Sequence, residues 1–437
     1  MYLTKLKLEN VRLLEPTSLE FVSSDGTPRM WTVLLGENGA CKSTILQCIA
    51  VAAAGEKLSR ALVEDAQSFR REGSDKPASI AALFSDPRAR SNRVMPPSGL
   101  LRFAPDGPIA RLASVLEVLP GRTDFVVPPR SREAGDALDD LRARSDATGW
   151  FCVGYGVGRF LPEPGQVAMP KNPAMERVEG LFRKDHRVLG TDFYGALRQT
   201  APKLALKFSK ALRDVLLTEH KGERLFPLLE NVELRGKGGL KTVEGLLESR
   251  RMIVELGGVR FRLPATALSD GYQSMLAWVA DLLGHAFLEL GETATPADLE
   301  GLALLDEVDL HLHPTWQRQL VPLLKRAFPS LQFIATTHSP LVVAGLESQE
   351  IVRLRAEGDR VVVDQEEPEP GLRTATQLLT TYFDVPFAAR PELVALRRRW
   401  AELKAIERPS AAERRRLDDL EEKLRPYWPQ SDGGVLK

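Results

Sequence analysis

The sequence carries no excess of charge of either sign: 59 lysines and arginines balance 59 aspartates and glutamates over 437 residues. A global basic surplus that would draw the chain onto nucleic acid is therefore excluded, although a neutral total leaves room for a local basic face. Cysteine is scarce. Cys41, Cys48 and Cys152 have neither zinc-ligand nor disulfide-framework spacing, which points to a reduced, cytoplasmic setting. The start, MYLTKLKLEN, lacks the apolar stretch of a signal peptide. No run of about 18 apolar residues occurs, as a membrane-spanning helix needs. The best candidate, Met275 to Leu290, is interrupted by Asp281 and His285, so no membrane partner is expected. Repeats, low-complexity tracts and long heptad arms are also missing.

What remains is an ordinary globular composition, 43% apolar, with a length that suggests two to three domains. Residues 5–9 and 19–21 alternate with period two and read as a hairpin. Residues 31–35 form a short apolar run, read as a buried strand, and a helix is expected from Ser43 to Ala54. Between 57 and 145 the pattern is mixed: a helix near 57–71, strands near 99–104 and 110–127, and a polar segment near 129–147. Residues 172–220 look mainly helical, with Leu204, Phe208, Leu212 and Leu216 at i, i+4 spacing. Gly257-Gly258 separates two apolar runs, a two-residue hairpin signal, and a helix is expected over 272–290. Strands at 302–305 and 331–336 flank a helix from Pro314 to Phe328, a βαβ unit that demands parallel neighbours. Two charged helices are expected beyond 391, the second opened by the capping box Ser410-Ala411-Ala412-Glu413.

Chemistry enters at Gly36-Glu37-Asn38-Gly39-Ala40-Cys41-Lys42-Ser43-Thr44, which follows a buried strand and opens a helix. That is the context of a P-loop: backbone N–H groups cradle phosphate oxygens, Lys42 reaches the β- and γ-phosphates, and the Ser43 hydroxyl ligates Mg²⁺. The cofactors expected are therefore ATP and Mg²⁺. One position departs from the pattern. Cys41 stands where glycine is usual, and its side chain is expected to crowd the nucleotide; the alternative is a scaffold that binds no nucleotide.

The second element is an apolar strand ending in Asp306-Glu307. Asp306 suits Mg²⁺, and Glu307 suits a general base for the attacking water. The alternative is a solvated strand end. A third strand ends in Thr336-Thr337-His338, where His338 is expected to sense the γ-phosphate. Ligands bind at the carboxyl ends of parallel strands, so all three groups aim at one place.

In this order the motifs resemble the ABC-type ATPases of the soluble SMC/RecF/OLD-like branch. Leu268-Ser269-Asp270-Gly271-Tyr272-Gln273-Ser274 resembles their signature motif. The resemblance implies that Ser269 and Gly271 face the γ-phosphate held by the opposite protomer; Ser269 also fits a plain helix N-cap. Asp306 to Pro314 resembles their Walker B and D-loop, which implies Asp309 at a dimer interface and His338 as the H-loop histidine. His311 and His313 are spaced like metal ligands, but building the turn is the favoured role. Cys152 to Arg159 resembles a GYGxxR string of defence-type members and is a candidate for the Q-loop position; the alternative is a Gly-rich turn after a buried strand.

The resemblance implies an α/β fold: a P-loop ABC ATPase head with a mixed sheet, an N-terminal antiparallel β arm, a helical insert and a C-terminal helical pair. The expected division is 1–56 and 251–390 for the two parts of the ATPase domain, 57–250 for the insert and 391–437 for the charged tail. It further implies a homodimer closed around ATP. No built-in nuclease is expected, and the chain is similar to stand-alone ATPases of the Septu and PARIS type in anti-phage defence, which implies a separate effector, a nuclease or toxin. DNA is a further candidate partner, with Arg397-Arg398-Arg399 and Arg414-Arg415-Arg416 as basic clusters, though nearby acids favour a solvated, partly paired helix surface. Rival readings are a RecF-like DNA-repair ATPase, a transporter's nucleotide-binding subunit, and a non-catalytic nucleotide-sensing scaffold.

Overall fold

The computed structural model describes residues 1–85, 111–128, 151–161, 173–186, 188, 201–232, 252–256, 258–291, 294–365, 368–371, 373–385, 391–406 and 410–427. The strand expected near 99–104 and the polar segment near 129–147 lie outside them.

The centre is a six-stranded sheet whose strands run β15-β14-β3-β13-β12-β6. They are β3 (Trp31–Gly36), β6 (Cys152–Tyr155), β12 (Gly301–Leu305), β13 (Leu331–Thr336), β14 (Ile351–Glu357) and β15 (Arg360–Asp364). Five strands are parallel, and β15 returns antiparallel at the edge. Strands β12 and β13 are buried at every residue, as a parallel sheet covered on both faces requires.

A second sheet, β2-β1-β4-β5, is antiparallel and comprises β1 (Tyr2–Glu9), β2 (Thr17–Glu20), β4 (Ala78–Ser85) and β5 (Arg111–Val118). Between the sheets runs α1 (Lys42–Leu62), whose residues Ile45, Leu46, Ile49, Ala50, Val51 and Ala52 are all fully buried. A helix apolar on all sides belongs inside a core. Its geometry breaks at Gly55 (φ 78°), next to the end expected at Ala54. The helix then resumes through the boundary expected at residue 56. Because β4 and β5 complete the N-terminal sheet, much of the described 57–118 stretch belongs to the head rather than to an insert. The two sheets are also joined through buried Gln332, whose side chain exchanges bonds with Leu3 N–H (2.7 Å) and Leu3 O (2.9 Å).

The rest of this unit contains α2 (Pro173–Glu179), α3 (Pro202–Leu216), the short ladder of β7 (Glu219–His220) and β8 (Glu223–Arg224), and a third sheet. That sheet is β11-β10-β9, from β9 (Leu229–Val232), β10 (Met252–Leu256) and β11 (Val259–Leu263). The pairing Leu256↔Val259 closes the expected hairpin. Next come α4 (Asp270–Leu290), α5 (Pro314–Ala327) and α6 (Pro340–Val343). On α3, Phe208, Leu212 and Leu216 are buried, as the i, i+4 spacing requires.

Residues 1–372 and 373–437 separate as two compact units. The second begins before the expected boundary at 391 because it includes α7 (Ala375–Phe383) ahead of α8 (Pro391–Lys404) and α9 (Ala411–Leu424). Within it, Trp400 Nε1 donates to Glu421 Oε1 (3.0 Å), and the Ser410/Glu413 capping box opens α9.

Candidate functional site

Strand β3 delivers the chain to the loop 36–41, and α1 begins at Lys42. The buried Lys42 Nζ donates to the loop's own carbonyls, Gly36 O (2.8 Å) and Glu37 O (3.0 Å). Burial lowers its pKa, while Asp306 and then Glu307 pull it back up. Cys41 sits in the left-handed region (φ 61°, ψ 19°), which explains why glycine is usual there. Its side chain packs in the hydrophobic core, 8% exposed. Its Sγ also reaches the loop carbonyl Gly39 O at 3.7 Å, and the left-handed conformation carries backbone strain of about 1–2 kcal/mol.

The acidic strand end lies against this loop. Ser43 Oγ donates to Asp306 Oδ2 at 2.7 Å, and Thr336 Oγ1 donates to Asp306 Oδ1 at 2.6 Å. The Thr336 oxygen also accepts the Glu307 N–H at 2.7 Å. Glu307 has φ 49°, so the backbone turns sharply after Asp306. Thr337 Oγ1 donates to Asp309 Oδ1. His338 is exposed and follows directly. Partial burial and then the Lys42 cation lower its pKa, against a raising pull from Glu307, Asp309 and Asp306. Lys42, Ser43, Asp306, Glu307 and His338 therefore share one electrostatic neighbourhood.

The donor set suits the expected cofactors. Ser43 and Asp306 supply hard oxygens of the kind Mg²⁺ takes, while Lys42 and the N–H groups at the start of α1 suit phosphate.

The Leu268–Ser274 segment opens α4. Ser269 is at the N-cap position and exposed, yet its side chain makes no cap hydrogen bond. Gly271 is buried against the turn 306–313: a Cβ there would lie 2.5 Å from His311 O. No hydrogen bond joins Ser269 to the phosphate loop among the described residues. His313 caps α5, accepting from Thr315 N–H at 3.4 Å, and His311 occupies a left-handed turn position (φ 62°).

Three participants were not singled out by the sequence. Thr336 was read only as the end of a strand. Arg12 donates Nη1 to Thr44 Oγ1 (2.8 Å), with no local signal to foretell it. Arg159 lies in the Gly-rich string read as a candidate for the Q-loop position, with no separate role expected for the arginine.

Comparison with known proteins follows this geometry. A family model described as "AAA domain" matches residues 5–87, which hold the phosphate loop. A model described as "AAA domain, putative AbiEii toxin, Type IV TA system" matches residues 190–344, which hold Ser269, Asp306, Glu307 and His338. The Septu protein PtuA of Bacillus mycoides is 24% identical over 98% of this chain and 51% of its own length. The chain carries matches to AAA-domain models on both segments that form the site and is similar to PtuA.

The chain spans about half the length of that relative. The Retron Ec83 probable ATPase of Escherichia coli is 42% identical over 21% of this chain and 17% of its own length. Among solved structures, the SMC head bound to the C-terminal winged-helix domain of ScpA aligns with a TM-score of 0.46 at 20% identity, covering 84% of this chain and 98% of that one. The SMC head domain from Thermotoga maritima aligns at 0.43 and 17%, covering 84% and 100%. No described helix is long and apolar enough to cross a membrane.

Proposed function

We propose that this chain binds ATP with Mg²⁺ at residues 36–44, hydrolyses it, and uses the nucleotide to close a homodimer that signals to a separate effector. The observation that carries the reading is the 2.7 Å bond from Ser43 Oγ to Asp306 Oδ2. It joins the phosphate loop to the acidic strand end, the two halves of a Mg²⁺-nucleotide site. A bound Mg²⁺ would supply positive charge that stabilises the phosphate groups. Lys42 exchanges its loop carbonyls for phosphate oxygens. Glu307 takes the proton of the attacking water, and His338, favoured in its neutral form, donates to the γ-phosphate. Asp306 and Ser43 would hold the metal. Catalysis rests on positioning and charge rather than covalent chemistry.

The dimer is supported by the start of α4. Exposed Ser269, with its hydroxyl not committed to its own helix, presents a helix N-terminus to a partner's phosphate. A two-fold arrangement makes both sites equivalent, each completed by Ser269 and Gly271 of the other protomer, with Asp309 at the interface. Similarity to PtuA supports a role in anti-phage defence with a nuclease or toxin effector; DNA is a further candidate ligand.

The test is steady-state hydrolysis by the wild type and Glu307→Gln, with and without duplex DNA, beside the mass of Glu307→Gln in solution with ATP. Turnover lost in Glu307→Gln with an ATP-dependent dimer retained supports the reading. ATP binding without turnover in either form favours a nucleotide-sensing scaffold, for which the strained Cys41 is the motivating observation. Stimulation by DNA shifts weight to direct action on DNA. For the defence role, cells carrying the chain with its neighbouring genes should resist phage, and Lys42→Ala should abolish the resistance.

A further inference from the structure

Arg159 is 3% exposed, and its Nη2 donates to the Glu307 carbonyl at 2.6 Å. Among the described residues its Nε and Nη1 have no hydrogen-bond partner. A buried guanidinium with donors to spare is costly unless charge compensates it. Here the compensation comes from the Asp306, Asp309 and Glu307 carboxylates; burial outweighs their raising pull and leaves its pKa lowered to about 10, so the cation persists at neutral pH.

The carbonyl it holds is in a demanding position. Glu307 has φ 49°, a sparsely populated region for a residue with a side chain, which persists only when its surroundings impose it. Glu307 O also accepts the Leu310 N–H at 3.0 Å, and Leu312 N–H bonds Asp309 O at 3.0 Å. The turn after β12 is thus a short chain of local bonds, and Arg159 is a fixed external cation attached at its first carbonyl. The glycine string explains how the arginine gets there. Gly156 N–H donates to Gly180 O (3.1 Å), and a Cβ on Gly156 or Gly158 would lie 2.2 Å from Gly180 O or 2.4 Å from Lys184 O. Only a chain without side chains at these points can run against 180–184 and deliver residue 159 to the Glu307 carbonyl.

We propose that Arg159 is a positioning residue: by pinning the Glu307 carbonyl it holds the turn 306–312 in the conformation that presents the Glu307 carboxylate, and it takes no part in capturing nucleotide. The proposal rests on the reading of Glu307 as the hydrolytic base, and two separate readouts keep the two apart.

The first readout is hydrogen exchange of the full chain, comparing wild type, Arg159→Gln and Arg159→Lys, with thermal melting as the fold control. In Arg159→Gln the amides of Val308, Leu310 and Leu312 should exchange at least about tenfold faster while those of α1 stay unchanged. Arg159→Lys, which keeps a cationic donor, should restore part of the protection. The second readout is hydrolysis. Arg159→Gln should lower kcat at least about tenfold with KM within about threefold of wild type, and Arg159→Lys should recover part of the loss. Unchanged exchange in the turn overturns the proposal. So does faster exchange throughout the chain, which marks a general packing role, or a KM that rises in step with the loss of kcat, which marks a phosphate contact. A wild type that binds Mg-ATP without turnover sinks the hydrolytic reading alone; exchange at the turn still decides the role of Arg159.

Discussion

Thr336 donates its hydroxyl to Asp306 at 2.6 Å and, through the same oxygen, accepts the Glu307 N–H at 2.7 Å. One fully buried hydroxyl on the neighbouring strand therefore orients the carboxylate proposed for Mg²⁺ and the backbone of the residue proposed as base. Thr336→Val keeps the shape and strands both partners. Stability should fall by about 1–3 kcal/mol, the cost of leaving buried polar groups unsatisfied, and hydrolysis should fall with it. Urea unfolding beside kcat checks this; an unchanged midpoint would count against the role given to the hydroxyl.

Cys41 sets two opposing effects against each other. Cys41→Gly releases left-handed strain but gives up the buried thiol and frees the unfolded chain. The net change should stay within about 1 kcal/mol, with nucleotide binding retained. Cys41→Val places a β-branched residue at φ 61° and should cost more than about 1 kcal/mol. Equal melting temperatures for the Val and Gly variants would show that strain at this position is not significant.

Gly271→Ala places a Cβ 2.5 Å from His311 O, a backbone oxygen that cannot yield alone. The turn or the start of α4 must shift, at about 1–3 kcal/mol. Monomer binding of ATP should survive, because the phosphate loop is untouched, while the ATP-dependent dimer of Glu307→Gln should weaken. Light scattering on the double variant, with nucleotide binding measured in parallel, tests the separation.

His285 is buried, and desolvation, then the Arg177 and His186 charges, hold its pKa well below the ordinary value. A depressed histidine stays neutral in the folded chain and takes up a proton on unfolding. Its contribution is therefore full above about pH 6.5 and is lost as pH falls, at up to about 1.4 kcal/mol per pH unit. His285→Gln should flatten the decline in unfolding free energy between pH 7 and pH 5. Parallel slopes for variant and wild type would remove His285 as a source of acid sensitivity.

The strands that carry the site were legible because each announces itself locally. Residues 302–305 are an uninterrupted apolar run, and 31–35 and 331–336 are apolar except at Thr32, Gln332 and Thr336, a pattern that suits a strand covered on both faces. Strand β4 was missed: Ala78, Ile80, Ala82 and Phe84 do alternate inward, but two of the four are alanines, so the period is faint. Strand β15 lies at the sheet edge with β14 beside it, and their partly exposed residues blur the apolar run.

The sequence by itself determined which groups stand at the strand ends: Lys42 and Ser43 after β3, Asp306 and Glu307 after β12, His338 after β13. These are properties of short segments, where residue type and local period suffice. Only the tertiary structure decided how they meet. The pairings Leu34↔Thr336 and Leu305↔Ala335 bring the three strand ends to one level, and from that register follow the Ser43–Asp306 bond and the double bonding of Thr336. Cys41 packs in the core cluster while its thiol stays on the Gly39 carbonyl, and Arg159 reaches Glu307 from 148 positions away in the chain. Such long-range contacts join residues with no local relation. They exist because sheet register and core packing, which are sums over the whole fold, leave one arrangement in which buried polar groups are satisfied and apolar ones covered.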